Sequence, residues 1–294
     1  MDIFTLLLVS GLFTGSIYSL IAIGFVVVYK STKVLNFSQG MMVVLGAYVL
    51  WSMLSTGIPV WLAVIIAFLL IIAISIIIER ICMRPLIGQP IMASVMVTLA
   101  LGGALKGLIF AIWGSDKLRF PVEIISAGMW DLGFITLHKE KTLTLAAALA
   151  LILVLYLFFK YTRIGLAMQV TSEDHNIAQI VGLNIGRIFS TSWAITGFIA
   201  AVGGLFLGSI VTIHPIIEHF GLKSLAAMLL GGLESIPGAI IGGLLIGLTE
   251  TLAGQYLTGI FGSSIGENFP YILILIVLII RPYGLFGWKK IERV

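Results

Sequence analysis

The sequence between two long apolar runs turns polar at Thr171-Ser172-Glu173-Asp174-His175-Asn176. This polar stretch extends from Tyr161 to Arg187, and only the segment at about 114–141 has a comparable polarity. Thr171 followed by Asp174 matches a helix-capping pattern, and Gly182 is typical of a helix end. We therefore predict an amphipathic helix over about 172–182 that lies in water and offers a surface to a soluble partner.

The composition excludes a water-soluble globular protein. Apolar residues make up 60% of the 294 residues and charged residues only 10%, against about 25% charged residues in soluble domains. The first apolar run, at about 4–29, is too long for the core of a signal peptide and is predicted to be a membrane span. The one cysteine, Cys82, excludes an internal disulfide framework.

Long apolar segments predict an all-α, polytopic membrane helix bundle of eight or nine spans in one transmembrane domain, 1–294. Residues 222–233 form a glycine-broken segment that is too short to cross a bilayer alone. The sequence leaves open whether this segment spans or is re-entrant, and nine spanning segments fit the distribution of basic residues best. The other segments lie at about 4–29, 40–55, 60–78, 92–113, 142–160, 188–211, 237–257 and 268–281.

The distribution of basic residues predicts the orientation. With the N-terminus outside, eleven lysines and arginines fall in cytoplasmic loops and five on the outer side, which agrees with the positive-inside rule. The C-terminus and the loop 161–187 are then cytoplasmic, and the segment 114–141 is an outer loop. Alternating residues at 132–137 predict a small hairpin in that outer loop.

Small residues four apart predict close helix packing inside the bundle. These pairs are Gly11/Gly15, Gly204/Gly208, Gly238/Gly242 and Gly243/Gly247. A polar, glycine-marked break also precedes an apolar run in each half of the chain, at 36–40 and again at 221–224. Transporters use such broken helices at matching positions of two repeats, so we predict a weak internal repeat here.

Polar groups near the spans are candidates for the lining of a pathway. Asn36, Ser38 and Gln39 either line it or cap the helix that follows. Lys106 and Glu250 are the ionisable residues placed well inside spans; they are predicted to pair with each other, or else Lys106 extends outward to the interface and Glu250 faces a second subunit or water. Two histidines flank Glu218, but their spacing does not predict a metal site.

A series of short motifs follows along nearly the whole chain. They are Asn36-Phe37-Ser38-Gln39-Gly40 with Gly46-Ala47-Tyr48, Arg84-Pro85-Leu86 with Thr98, Thr162-Arg163-Ile164-Gly165 with Asp174, Ala178 and Gly182, Leu230-Gly231-Gly232-Leu233 with Gly238-Ala239-Ile240-Ile241-Gly242-Gly243 and Glu250, and Arg281-Pro282-Tyr283-Gly284-Leu285-Phe286-Gly287. In this order they resemble the permease subunits of branched-chain amino-acid ABC importers, a family that also includes urea and amide permeases.

The resemblance implies a pathway-forming subunit in a prokaryotic plasma (inner) membrane, and not an enzyme. It implies a heterodimer with a second homologous permease, two cytoplasmic ATPase subunits that bind ATP and Mg, and an extracytoplasmic substrate-binding protein. The sequence itself has no G-x-x-x-x-G-K-[ST] phosphate loop, so the energy must come from a partner or an ion gradient. An ion-coupled secondary transporter and a urea or short-amide permease are therefore the alternatives.

The resemblance also places functional residues. The helix that contacts the ATPase would use Glu173, Asp174, Ile177, Ala178, Val181 and Gly182. Seating in the partner's groove would depend on the small residue Ala178. From the broken segments and the embedded charge themselves, we predict a pathway lined by Asn36, Ser38, Gln39, Gly40, Gly231, Gly232 and Glu250. No cofactor and no metal is expected in this chain.

Overall fold

A computed structural model describes residues 3–124, 128–131, 136–173 and 175–287. Within these ranges the chain is mostly helical. The helices are α1 (Ile3–Thr32), α2 (Gln39–Ser55), α3 (Val60–Ile78), α4 (Ile91–Trp113), α5 (Lys139–Tyr161), α6 (Arg163–Glu173), α7 (His175–Ile180), α8 (Ile185–Ile210), α9 (His219–Gly231), α10 (Ile236–Tyr256), α11 (Thr258–Phe261) and α12 (Ile265–Ile280). The predicted hairpin is confirmed by antiparallel strands β1 (Met129–Asp131) and β2 (Thr136–His138).

The predicted helix bundle is confirmed, because each of the nine apolar segments coincides with a helix. Among the described residues, six helical stretches are long and apolar enough to cross a bilayer, and α2 and α12 are shorter apolar helices. Glycines with positive φ follow the C-terminal ends of several helices, as Gly57 does after α2, Gly114 after α4 and Gly232 after α9.

Contacts between loops divide the bundle into two ends. Lys33, after α1, forms an ion pair with Glu234, after α9. At the opposite end the Trp51 indole donates to the Arg119 carbonyl at 2.9 Å, and Leu118 forms a β-bridge with Ile213. We name these the Lys33 end and the Trp51 end. Segment 211–234 joins the two ends, so the short segment 222–233 crosses the bundle rather than returning.

The packing partners of the helices follow an internal repeat. In the first half α1 packs along α10, and in the second half α8 packs along α3. Likewise α2 lies against α8 and α3, and α9 lies against α1 and α10. The two repeating units are thus α1–α3 and α8–α10. Because α1 runs toward the Lys33 end and α8 runs away from it, the two units are inverted relative to each other. This arrangement agrees with the predicted repeat, whose sequence signal was weak.

Glycines set the closest helix contacts, as their spacing predicts. A Cβ atom at Gly247 would lie 2.2 Å from the Gly15 nitrogen, and one at Gly204 would lie 2.5 Å from the Ala47 nitrogen. Real side chains do not tolerate these distances, so α1–α10 and α8–α2 are held together through backbone contact. Gly208 departs from this pattern, since it makes room for the ring of Phe120, which lies in the segment after α4.

Helix burial separates a centre from a periphery. The most apolar windows of α1 and α8 are 89% and 72% buried, whereas those of α3 and α4 are only 28% and 17% buried. Peripheral helices of this kind face lipid or another subunit. Helix α4 matters most for the site, because it carries Lys106 on a helix that is largely open on its outer side.

Candidate functional site

The candidate site lies where the two broken helices meet. Helix α2 begins after the non-helical segment 33–38, and α9 begins after the segment 211–218. A Cβ atom at Gly221 would lie 2.3 Å from the Gly40 Cα, so only glycine permits this approach. The N-terminal turns of α2 and α9 therefore cross in direct backbone contact within the bundle.

Beside this contact is a cavity of about 240 Å³, which we name the crossing cavity. Its walls are apolar except for one cation and one anion, Lys106 and Glu218. The side chains that the site depends on are Phe25, Phe37, Met41, Leu222 and Leu225. An apolar chamber with a few convergent polar groups is the usual form of a small-molecule site.

Lys106 and Glu218 form an ion pair across the cavity. Lys106 lies seven residues before Trp113, the last residue of α4, which corresponds to about 10 Å of helix. The predicted Lys106–Glu250 pair is therefore wrong. Sequence placed Glu218 in an outer loop, but the unwound segment before α9 carries it into the bundle instead.

Glu250 has a different partner, Lys223 of α9. The Lys223 ammonium lies 2.6 Å from one Glu250 oxygen, and the Tyr18 hydroxyl donates to the other at 2.7 Å. The Lys223 side chain is only 4% exposed and that of Glu250 18%. Sequence analysis missed Lys223 because it was counted on the outer side. Its position two residues after Gly221, inside the crossing helix, was the available signal.

The predicted pathway residues Asn36, Ser38 and Gln39 are fully buried and do not line the crossing cavity. The Asn36 side-chain oxygen accepts from the Ser38 nitrogen at 3.2 Å and from the Ser38 hydroxyl at 2.6 Å, which fixes the turn before α2. The predicted capping is wrong for the N-cap residue Ser38, whose side chain forms no cap hydrogen bond with α2. The Gln39 side-chain amide packs over Gly24. A Cβ atom at Gly24 would lie 2.7 Å from the Gln39 side-chain nitrogen. In this conformation Gly40 alone of this motif's predicted pathway residues reaches the cavity.

Gly231 and Gly232 are packing positions at the end of α9. A Cβ atom at Gly231 would lie 2.1 Å from the Gly238 carbonyl carbon, and one at Gly232 would lie 2.7 Å from the Gly287 nitrogen. Leu285 and Phe286 donate backbone hydrogen bonds to the last turn of α9. In this conformation these glycines join α9 to α10 and to the C-terminal segment, away from the crossing cavity.

The two histidines near Glu218 serve the turn that leads into α9. The His214 side chain accepts from the Ile216 nitrogen at 3.2 Å and caps the 3-10 turn Pro215–Glu218. The His219 ring nitrogen lies 2.6 Å from the Ile216 carbonyl oxygen. With Glu218 bound to Lys106, each of these side chains has a role in positioning the broken segment.

The polar loop 161–187 is helical, but not with the predicted limits. Thr171 does not cap a helix; it lies inside α6, and its hydroxyl donates to the Ala167 carbonyl at 2.8 Å. The predicted end at Gly182 is confirmed, since Gly182 has φ +85° and its nitrogen donates to the Gln179 carbonyl at 2.9 Å. Helix α7 is thus shorter than predicted. Asp174 lies outside the described residues.

Exposure corrects the predicted partner-facing side of this loop. Ala178 is completely buried within the chain itself, so its methyl group is not available to a partner. Ile180 and Val181 are instead 84% and 69% exposed. Sequence spacing placed Ala178 on an outward face because a single helix over 172–182 was assumed. The two-helix arrangement turns Ala178 inward and presents the tip 179–182, which we name the exposed tip.

A buried ion pair links the start of α8 to the end of α3. The Glu79 side chain is fully buried and receives two hydrogen bonds from Arg84, at 3.0 and 3.1 Å. Ser190 of α8 donates to Glu79 at 2.7 Å, and Arg84 also donates to the Gly186 carbonyl. This network was not predicted. The signal was an acidic residue directly after the 19-residue helix α3, in which Ser75 is the one polar residue; an unpaired charge there would be costly.

Comparison with known proteins gives the family. The model of the branched-chain amino acid transport system permease component matches residues 7–281. The chain is 30% identical to the permease protein LivH of Escherichia coli K12, covering 97% of this chain and 96% of LivH. It is 28% identical to BraD of Pseudomonas aeruginosa, another high-affinity branched-chain amino acid permease protein, covering 98% and 97% of the two chains.

A solved structure supports the fold. PsaBC from Streptococcus pneumoniae, in complex with Fab, superposes with a TM-score of 0.50 at 14% identity, covering 96% of this chain and 93% of that chain. This likeness concerns the helical architecture alone. Together with the six long apolar helices among the described residues, the family match makes this chain a multi-pass membrane protein that belongs to the permease-component family of branched-chain amino acid transport systems.

Proposed function

We propose that this chain is the membrane-spanning subunit of an ATP-driven importer and forms part of its pathway for branched-chain amino acids. The observation that carries the proposal is the exposed tip, which presents large apolar side chains to water although a connecting loop has no need of them. The relatives named as branched-chain amino acid permease proteins support the substrate class.

The proposed assembly contains a second homologous permease, two ATPase subunits that bind ATP and Mg, and an extracytoplasmic binding protein. ATP binding would close the ATPase subunits and move the exposed tip with them. The start of α8 would follow, because the Asn184 side chain caps α8 through the Arg187 nitrogen at 3.0 Å. In thermodynamic terms, ATP would bind one of two global states better and shift the population toward it.

The exposed tip is tested by Ile180→Asp, with Gln89→Asp as the matched control in another exposed loop at the Lys33 end. Both variants add one negative charge to an exposed position, so both should insert and unfold like the parent protein. We expect Ile180→Asp to lose co-purifying ATPase subunits and ATP-dependent leucine uptake, and Gln89→Asp to retain both. Full uptake by the Ile180→Asp complex would contradict the proposal.

We further propose that the Lys33 end is cytoplasmic, as the excess of basic residues in its loops favours. The chain has one cysteine, so a Cys82→Ser background permits single-cysteine labelling. In intact cells a membrane-impermeant maleimide should label Asp116→Cys, in the exposed loop after α4, and should not label Gln89→Cys. The reverse pattern would invert the topology and remove the exposed tip from the ATPase side.

The alternatives are separated by the driving force and the substrate. Uptake that follows an ion gradient without ATPase subunits would favour a secondary transporter. ATP-dependent uptake of urea or a short amide, but not of leucine, would favour an amide permease. The four described charges near the helix crossing form two neutral pairs, Lys106 with Glu218 and Lys223 with Glu250.

A further inference from the structure

The crossing cavity holds two charged groups that remain partly open. The side chains of Lys106 and Glu218 are 39% and 32% exposed, although both belong to the membrane-embedded part of the bundle. A charge facing hydrocarbon at the middle of a span costs about 2.5–3.5 kcal/mol even on the lower scale. Exposure of these charged groups to acyl chains is therefore unfavourable, and the open side of the pair is better satisfied by water, a polar ligand or a polar group of a partner subunit.

The remaining walls are apolar and come from four helices. Phe25, Met41, Leu222 and Leu225 line the chamber beside the ion pair. Residues of the first turns of α2 and α9 also line it, and the partial positive charge of a helix N-terminus favours an anionic group nearby. The cavity thus combines an aliphatic compartment, one cation, one anion and two helix N-termini within about 240 Å³.

We propose that the crossing cavity is a transient binding site for a zwitterionic, aliphatic α-amino acid on its way across the membrane. This inference rests on the proposed function and adds the groups that recognise the substrate. The Lys106 ammonium donates to the substrate carboxylate, and the Glu218 carboxylate accepts from the substrate ammonium. The side chain of the substrate lies against Leu225 and Met41.

The physical basis is an exchange of ion pairs. When the cavity is empty, Lys106 and Glu218 neutralise each other, so neither charge is left bare in a low-dielectric environment. When the substrate enters, the pair opens and each group gains a partner of opposite sign on the ligand. The net charge of the site is zero before and after. A neutral amide or urea offers no charges to compensate the opened pair, so the site favours zwitterions over them.

The test uses the assembled transporter in proteoliposomes, with its binding protein outside and ATP inside. In the variant Lys106→Met with Glu218→Gln both charges are absent, so no bare charge remains and the bundle should stay assembled. We expect leucine uptake to fall at least about tenfold, the size expected for lost charge-assisted hydrogen bonds. ATPase activity stimulated by the loaded binding protein should persist. Uptake equal to that of the parent complex would overturn the inference.

A charge-exchanged variant provides a second test in case the complex with both charges removed does not assemble. Lys106→Glu with Glu218→Lys keeps a paired cavity, whereas each single neutral variant leaves one charge without its partner. We expect the exchanged variant to take up more leucine than Lys106→Met or Glu218→Gln alone, and no advantage would reject the site. Failure of the parent complex to transport leucine would instead count against the proposed function.

Discussion

Removal of the Lys223 ammonium should destabilise the bundle strongly. In Lys223→Met the Glu250 carboxylate loses a partner at 2.6 Å in a place where the lysine is almost fully enclosed. Breaking a buried ion pair on one side costs about 3–5 kcal/mol. Because the Tyr18 hydroxyl still donates to Glu250 at 2.7 Å, we expect the lower end of that range, about 3 kcal/mol. A loss of this size lowers the unfolding temperature of a large domain by about 6–12 °C.

The control experiments separate pairing from general damage. Thermal unfolding in detergent should show that Lys223→Met with Glu250→Gln is more stable than Lys223→Met alone, because no unpaired charge remains. The exposed Lys117→Met should stay within about 0.5 kcal/mol of the parent. Lys106→Met and Glu250→Gln should have additive effects, since these residues belong to different pairs. Additive effects of Lys223→Met and Glu250→Gln would refute the ion pair described above.

Two further variants test the packing and the link between helices. Gly221→Ala should prevent native assembly, because its Cβ would lie 2.3 Å from the Gly40 Cα. The loss would be seen as disappearance of the monodisperse peak in size-exclusion chromatography in detergent. The control Gly107→Ala should assemble normally, because a Cβ at Gly107 would have no neighbouring atom within 4 Å. Glu79→Gln should lower the unfolding free energy by about 1.5–3 kcal/mol, because the partly exposed Arg84 guanidinium loses the charge of its hydrogen-bond acceptor, and an unchanged thermal transition would contradict that reasoning.

Much of the fold was predictable from sequence because a bilayer imposes simple rules on length and polarity. Segments that lie in the bilayer must be apolar, so the nine apolar segments of the sequence coincide with helices of the structure. Breaks in a span need glycine and polar residues, which is why both breaks could be predicted from the sequence, at 36–40 and 221–224. The spacing of Gly243 and Gly247 predicted close packing against another helix, and α1 supplies the backbone that fills it.

The partners of the charged residues were not predictable in the same way. Sequence gives the depth of a residue along its helix, but not the neighbouring helix that it faces. Lys106 and Glu250 were at similar predicted depths, yet α4 and α10 face different parts of α9. Only the three-dimensional arrangement shows that Lys106 pairs with Glu218, whereas Glu250 pairs with Lys223, five residues further along the chain. The burial of Ala178 was missed for a related reason, since it depends on which parts of the chain pack around α7.

The two inverted halves contribute unequally to the crossing cavity. Counted from the contacting glycines, Gly40 and Gly221, the third residue before each is Phe37 in the first half and Glu218 in the second, and both line the cavity. The first break supplies an apolar wall, and the second supplies the charge that pairs with Lys106. A symmetric pair of breaks would leave Lys106 either without an anion or beside two carboxylates. Divergence of the two halves at this one position therefore produces a cavity that suits an aliphatic zwitterion.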